Sequence, residues 1–117
     1  MDERLRPIER IRRKKDFLEL YKKGHRIKGR YFNLIFRPTS FQYSRLGVVV
    51  SKKIGKAVVR NRIKRWFREL FRRNKGLLPR PYDLVFIARE EITSLGWPEI
   101  KEEFEATLGR LSGKNSG

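Results

Sequence analysis

The sequence predicts an α+β fold, a two-layer sandwich of helices on a sheet in the order α-β-β-α-β-α. Three observations carry that reading. Three short runs, "RYFNLIFRP", "RLGVVVS" and "YDLVFIAR", are rich in β-branched and aromatic residues. Three other segments repeat apolar residues every three or four positions, as amphipathic helices do. The 117 residues are 38% hydrophobic and include eight Phe and two Trp, enough to build one modest core. The chain therefore reads as a single domain, 1–117, with an extended N-terminal segment, 1–12, and a flexible Gly/Ser tail, 112–117.

The first helix is "KKDFLELYKKG". Phe17, Leu18, Leu20 and Tyr21 give it apolar surface, Asp16 suits its start and Gly24 its end. In the first strand, Phe32, Leu34 and Phe36 point to one face, and Tyr31, Asn33, Ile35 and Arg37 to the other. Pro38 ends it, and "TSFQYS" connects it to the Val-rich second strand. A loop, "KKIG", opens a long helix from about Lys56 to Arg73. At about 100° per residue, Val59, Ile63, Trp66, Phe67 and Leu70 form its buried stripe. Arg60, Asn61, Lys64, Arg65, Arg68 and Arg72 fall opposite. After the loop "NKGLLPRP", the third strand is apolar on both faces, which suits a central position. In the last helix, Ile100, Phe104, Leu108 and Leu111 make the buried stripe, and Pro98 suits the first turn.

Charge is the largest fact in the composition: 30 Lys and Arg against 13 Asp and Glu, a formal net charge of +17. Such an excess implies a polyanionic partner, nucleic acid before an anionic membrane. The absence of Cys removes disulfides and thiolate metal sites and fits the cytoplasm. The apolar runs fall far short of the roughly 20 residues that span a bilayer, so no membrane partner is expected. His25 is the single histidine and no carboxylates cluster, so the side chains offer no nuclease apparatus.

The positive charge is concentrated. Residues 51–75 carry eleven basic side chains and one acid, Glu69. A solvated helix face normally mixes signs four residues apart. This one sets Arg60 over Lys64, Lys64 over Arg68 and Arg68 over Arg72, an arrangement that costs the isolated helix stability and favours a phosphate backbone. Ahead of it, Lys52, Lys53 and Lys56 surround Gly55, where a helix N-terminus presents free N–H groups. Asn61 can donate and accept, so it can fix an RNA group or a water, or it can be a tolerated surface residue. Phe17 and Tyr21, one turn apart, are either core or a stacking platform for unpaired bases. A ribosomal or other structural RNA-binding protein is the alternative reading of the same basic face. A membrane-surface helix would need exposed bulky apolar residues, but the core takes that stripe.

The stretch "SKKIGKAVVRNRIKRWFRE", with the preceding "GVVVSKKIG", resembles the protein component of bacterial ribonuclease P. The first helix and the last strand extend the resemblance over nearly the whole chain. It implies a fold similar to the second domain of ribosomal protein S5, with a central mixed sheet and a left-handed βαβ crossover, where the general rule gives right-handed in about 98% of cases. It implies a 1:1 complex with a catalytic RNA that uses Mg²⁺ to remove the 5′ leader of precursor tRNA. Its RNA-subunit contacts would be Lys52, Lys53, Lys56, Arg60, Asn61, Arg62, Lys64, Arg65 and Arg68. Its leader cleft would use Phe17, Tyr21, Asn33, Ile35, Val49, Val85 and Ile87. Ile35 stands where an aromatic can occur in that family, and Val49 where a small polar residue can.

Overall fold

The computed structural model describes residues 7–115. Its main elements are α1 (Lys14–Lys23), β1 (His25–Ile27), β2 (Phe32–Pro38), β3 (Arg45–Val49), α2 (Ala57–Asn74), β4 (Tyr82–Ala88) and α3 (Trp97–Asn115). The sheet order is β1-β2-β4-β3. β2 runs antiparallel to β1 and β4, and β3 runs parallel to β4, so the sheet is mixed. The apolar strand β4 is internal, as its two hydrophobic faces require.

One face of the sheet carries the main core. Leu34, Phe36, Leu46, Leu84 and Phe86 meet Ile63, Phe67, Leu70 and Phe71 of α2 and Ile100, Phe104, Leu108 and Leu111 of α3. Phe67 sits at the junction. Its ring centroid lies 5.3 Å from Phe32, 5.0 Å from Phe86 and 6.1 Å from Phe104. The stripes expected for α2 and α3 are the buried ones, with Phe71 added and Val59 and Trp66 at the margin.

The opposite face carries α1. Leu20 packs there with Ile35, Val85 and Ile11, ringed by Phe17, Tyr21, Val49 and Ile87. Strand register sets three rows across this face: Asn33–Ile87–Val49, Ile35–Val85–Gly47 and Arg37–Asp83–Arg45. Gly24 ends α1 with its N–H on the Leu20 carbonyl.

Three local features differ from the sequence reading. β1 is an added edge strand, only three residues long and too short to carry a pattern. The N-terminal segment is docked from residue 7 onward. Pro7–Glu9 is a 3-10 turn, Arg10 bridges Leu46 as a parallel neighbour, and the Ile11 N–H donates to the Leu46 carbonyl at 2.9 Å. Ile11 is buried, and the Glu9 carboxylate holds the Lys75 ammonium. Residues 1–6 lie outside the described part. At the other end α3 runs to Asn115, taking in four residues expected as tail, and 116–117 lie outside the described part.

Candidate nucleic-acid interface

Helix α2 turns its cations in three directions. Asn61 and Arg65 face outward and are exposed. Lys64 and Arg68, one turn apart, are half-buried on the flank next to β3. Arg62 is on the other flank, its guanidinium 5.3 Å from the Trp66 ring, and Trp66 meets Trp97 edge-on at 6.1 Å. Arg60 is half-buried and donates from Nε to the Gly55 carbonyl at 3.1 Å, tying the helix to its entry loop. The single acid of the helix is engaged within it: Glu69 accepts from Arg72 and Arg73. The Arg72 hydrogen bond comes first in holding that carboxyl below its usual range. No acid of the described residues pairs with Arg62, Lys64 or Arg65.

The entry loop is a 3-10 turn, Lys52–Ile54, pinned by buried Ile54. Gly55 follows at φ 156, ψ −168, a conformation that side chains other than glycine rarely tolerate. That kink brings exposed Lys52, Lys53 and Lys56 to the start of α2, where its first N–H groups lack intrahelical partners. All nine residues expected to meet the RNA subunit thus lie on one helix and its entry loop.

The cleft residues divide. Phe17 and Tyr21, with ring centroids 6.4 Å apart, stand along α1 over the sheet. The half-exposed row Asn33–Ile87–Val49 lies beside them. Ile35 and Val85 are 2% and 0% exposed, so they form a closed floor beneath α1 and touch nothing that enters from solvent. Phe17 and Tyr21 belong to both readings, packing on the second core while keeping an accessible side.

Two features of this face escaped the sequence reading. Gly47 lets Phe17 lie down on β3, since a Cβ there would come within 2.8 Å of the Phe17 ring. The row beyond is a charge lock. Arg45 donates to both Asp83 oxygens at 2.9 and 2.8 Å, and its other nitrogen reaches Asp16 at 3.4 Å. The Asp83 hydrogen bond comes first in raising the Arg45 pKa. Asp16 therefore holds β3 instead of capping α1. Arg45 opens one strand and Asp83 lies near the start of its parallel neighbour, a signal legible only once the pairing is known.

Among the described residues no three His, Asp or Glu side chains gather to hold a metal. No helix among them is long and apolar enough to cross a membrane.

Comparison with known proteins places this geometry. A sequence profile of the family described as Ribonuclease P matches residues 5–112. The ribonuclease P protein component of Thermotoga sp. (strain RQ2) is 44% identical over 109 residues, covering 90% of this chain and 93% of that protein. That of Petrotoga mobilis is 45% identical over 107 residues, covering 88% and 91%. Among solved structures, the ribonuclease P protein from Thermotoga maritima superposes with a TM-score of 0.80 at 42% identity, covering 87% of this chain and 96% of that one. The Staphylococcus aureus ribonuclease P protein gives 0.81 at 36%, covering 86% and 93%. With a matching profile, full-length relatives and the same fold, this chain belongs to the bacterial ribonuclease P protein family.

Proposed function

We infer that the chain acts as the RNA-binding subunit of ribonuclease P, working in the cytoplasm as a 1:1 complex with a catalytic RNA. The carrying observation is the outer face of α2, where Asn61 and Arg65 stand exposed among Lys52, Lys53, Lys56 and Arg62 and the one acid, Glu69, is taken up by Arg72 and Arg73. That face suits the phosphates of a folded RNA. The opposite side of the sheet offers aromatics beside a half-open row, which suits an unpaired strand, the 5′ leader of precursor tRNA. The protein contributes binding and orientation. The RNA carries the hydrolysis with Mg²⁺, whose usual ligands are phosphate oxygens and water.

The test is cleavage of a precursor tRNA by a bacterial ribonuclease P RNA at low Mg²⁺, with and without the protein. Cleavage only in its presence supports the subunit reading. Tight, salt-sensitive RNA binding without rescue moves the assignment to a structural RNA binder.

Gly47→Val provides a separate check on the cleft. The added side chain displaces the Phe17 ring, so affinity for leader-bearing substrate should fall about tenfold, the loss of one stacked base. Mature tRNA binding should stay unchanged. Equal losses for both substrates would make Phe17 a core residue only.

A further inference from the structure

The outer edge of β3 borders a cavity of about 170 Å³ between the N-terminal segment, α1 and α2. A water needs about 30 Å³, so a tetrahedral oxyanion fits. Four cations line the cavity, Arg10 and Arg12 from the N-terminal segment and Lys64 and Arg68 from α2, and no acid of the described residues does. The Arg10 Nε is fully buried and has no hydrogen-bond partner among the described residues. A buried N–H left unpaired is costly and is normally satisfied by something. Arg68 adds to the strain: its pKa is lowered, by burial first and by the charge of Arg10 second. Two guanidiniums held together with no acid of the described residues between them favour an anion.

The other wall of the cavity is Phe17 and Gly47, and the Phe17 ring also borders the cleft. Cavity and cleft therefore share the Phe17 ring. A strand whose base stacks on Phe17 has its backbone beside these four cations.

We propose that Arg10, Arg12, Lys64 and Arg68 form a binding pocket for one phosphodiester of the single strand that lies in the cleft. This rests on the subunit reading and deepens it. It moves Lys64 and Arg68 from the RNA-subunit face to the leader, and it gives the N-terminal segment a binding role. Arg62 and Arg65, which point elsewhere, stay with the RNA subunit.

The experiment combines Arg10→Gln and Arg12→Gln in the complex with a bacterial ribonuclease P RNA. Precursor tRNA carries a methylphosphonate, which lacks the charge, at one leader position at a time. The double variant should bind leader-bearing substrate about tenfold more weakly, as expected for one lost charge-assisted contact, with assembly and mature tRNA binding unchanged. One methylphosphonate position should cost the unmodified complex a similar factor and the variant nothing further. Arg10→Lys, which keeps the charge, should recover most of the loss. Equal losses for both substrates, weakened assembly, or no position that couples to the variant would overturn the proposal.

A second arm follows the Arg10 Nε–Hε NMR signal in the free protein. It should move at lower concentrations of a single-stranded RNA oligonucleotide than of inorganic phosphate. Saturation by phosphate with no response to the oligonucleotide would make this a free-anion site and overturn the strand assignment. If the unmodified protein does not assemble with the RNA at all, the subunit reading fails, and this arm still decides the pocket.

Discussion

Arg65→Glu is expected to weaken assembly with the RNA subunit about a hundredfold, one factor of ten for the lost phosphate contact and one for the added repulsion. The melting temperature should move by only a few degrees, because the side chain is exposed and pairs with no acid of the described residues. The salt dependence of binding should flatten by about one unit of slope, the signature of one phosphate contact removed. Arg65 is a better probe than Arg60, whose Nε also ties the entry loop through the Gly55 carbonyl. A large loss of melting temperature with unchanged affinity would make the outer face of α2 structural.

Phe67→Ala is expected to have the largest effect on stability, about 4 kcal/mol. The ring is fully buried where α2, α3 and the sheet meet, and its aromatic neighbours come from β2, β4 and α3. No single neighbour can swing in to fill the space. The melting temperature should fall by roughly 15 °C or more, at about 4 °C or more for each kcal/mol. Thermal unfolding followed by circular dichroism checks this. A loss under 1 kcal/mol would mean that the core can collapse around the gap. Where the variant is still folded, RNA affinity should be unchanged, since Phe67 never reaches the surface.

These two residues also mark what a sequence makes legible. Long periodic segments are readable because each residue in them votes for the same face. Ile100, Phe104, Leu108 and Leu111 state the stripe of α3 without help, and alternation in "YFNLIFR" states both faces of β2. β1 has three residues, too few to vote. The segment "ERIRRKK" reads as solvated because of its charge, yet Ile11 and one backbone bridge to Leu46 suffice to dock it. Composition sees the charges and misses the single anchor. The cleft residues were legible by face but not by depth. Ile35 and Val85 share the correct side of the sheet with Asn33 and Ile87, and only the placement of α1 decides which pair is covered. The role of Gly47 depends on a ring thirty residues earlier, a relation that no local pattern carries.

Helix α2 leaves the end of β3 and returns to β4, and those two strands are hydrogen-bonded neighbours. The same strands supply Val49, Gly47 and Ile87 to the cleft face. The basic helix and the cleft are thus mounted on opposite sides of one hydrogen-bonded sheet. On the proposed function, the protein would act as a fixed caliper. With one jaw seated on a folded RNA, the other can close only on a strand emerging at a set distance and angle. Register along that strand would then be set by geometry and not by base identity.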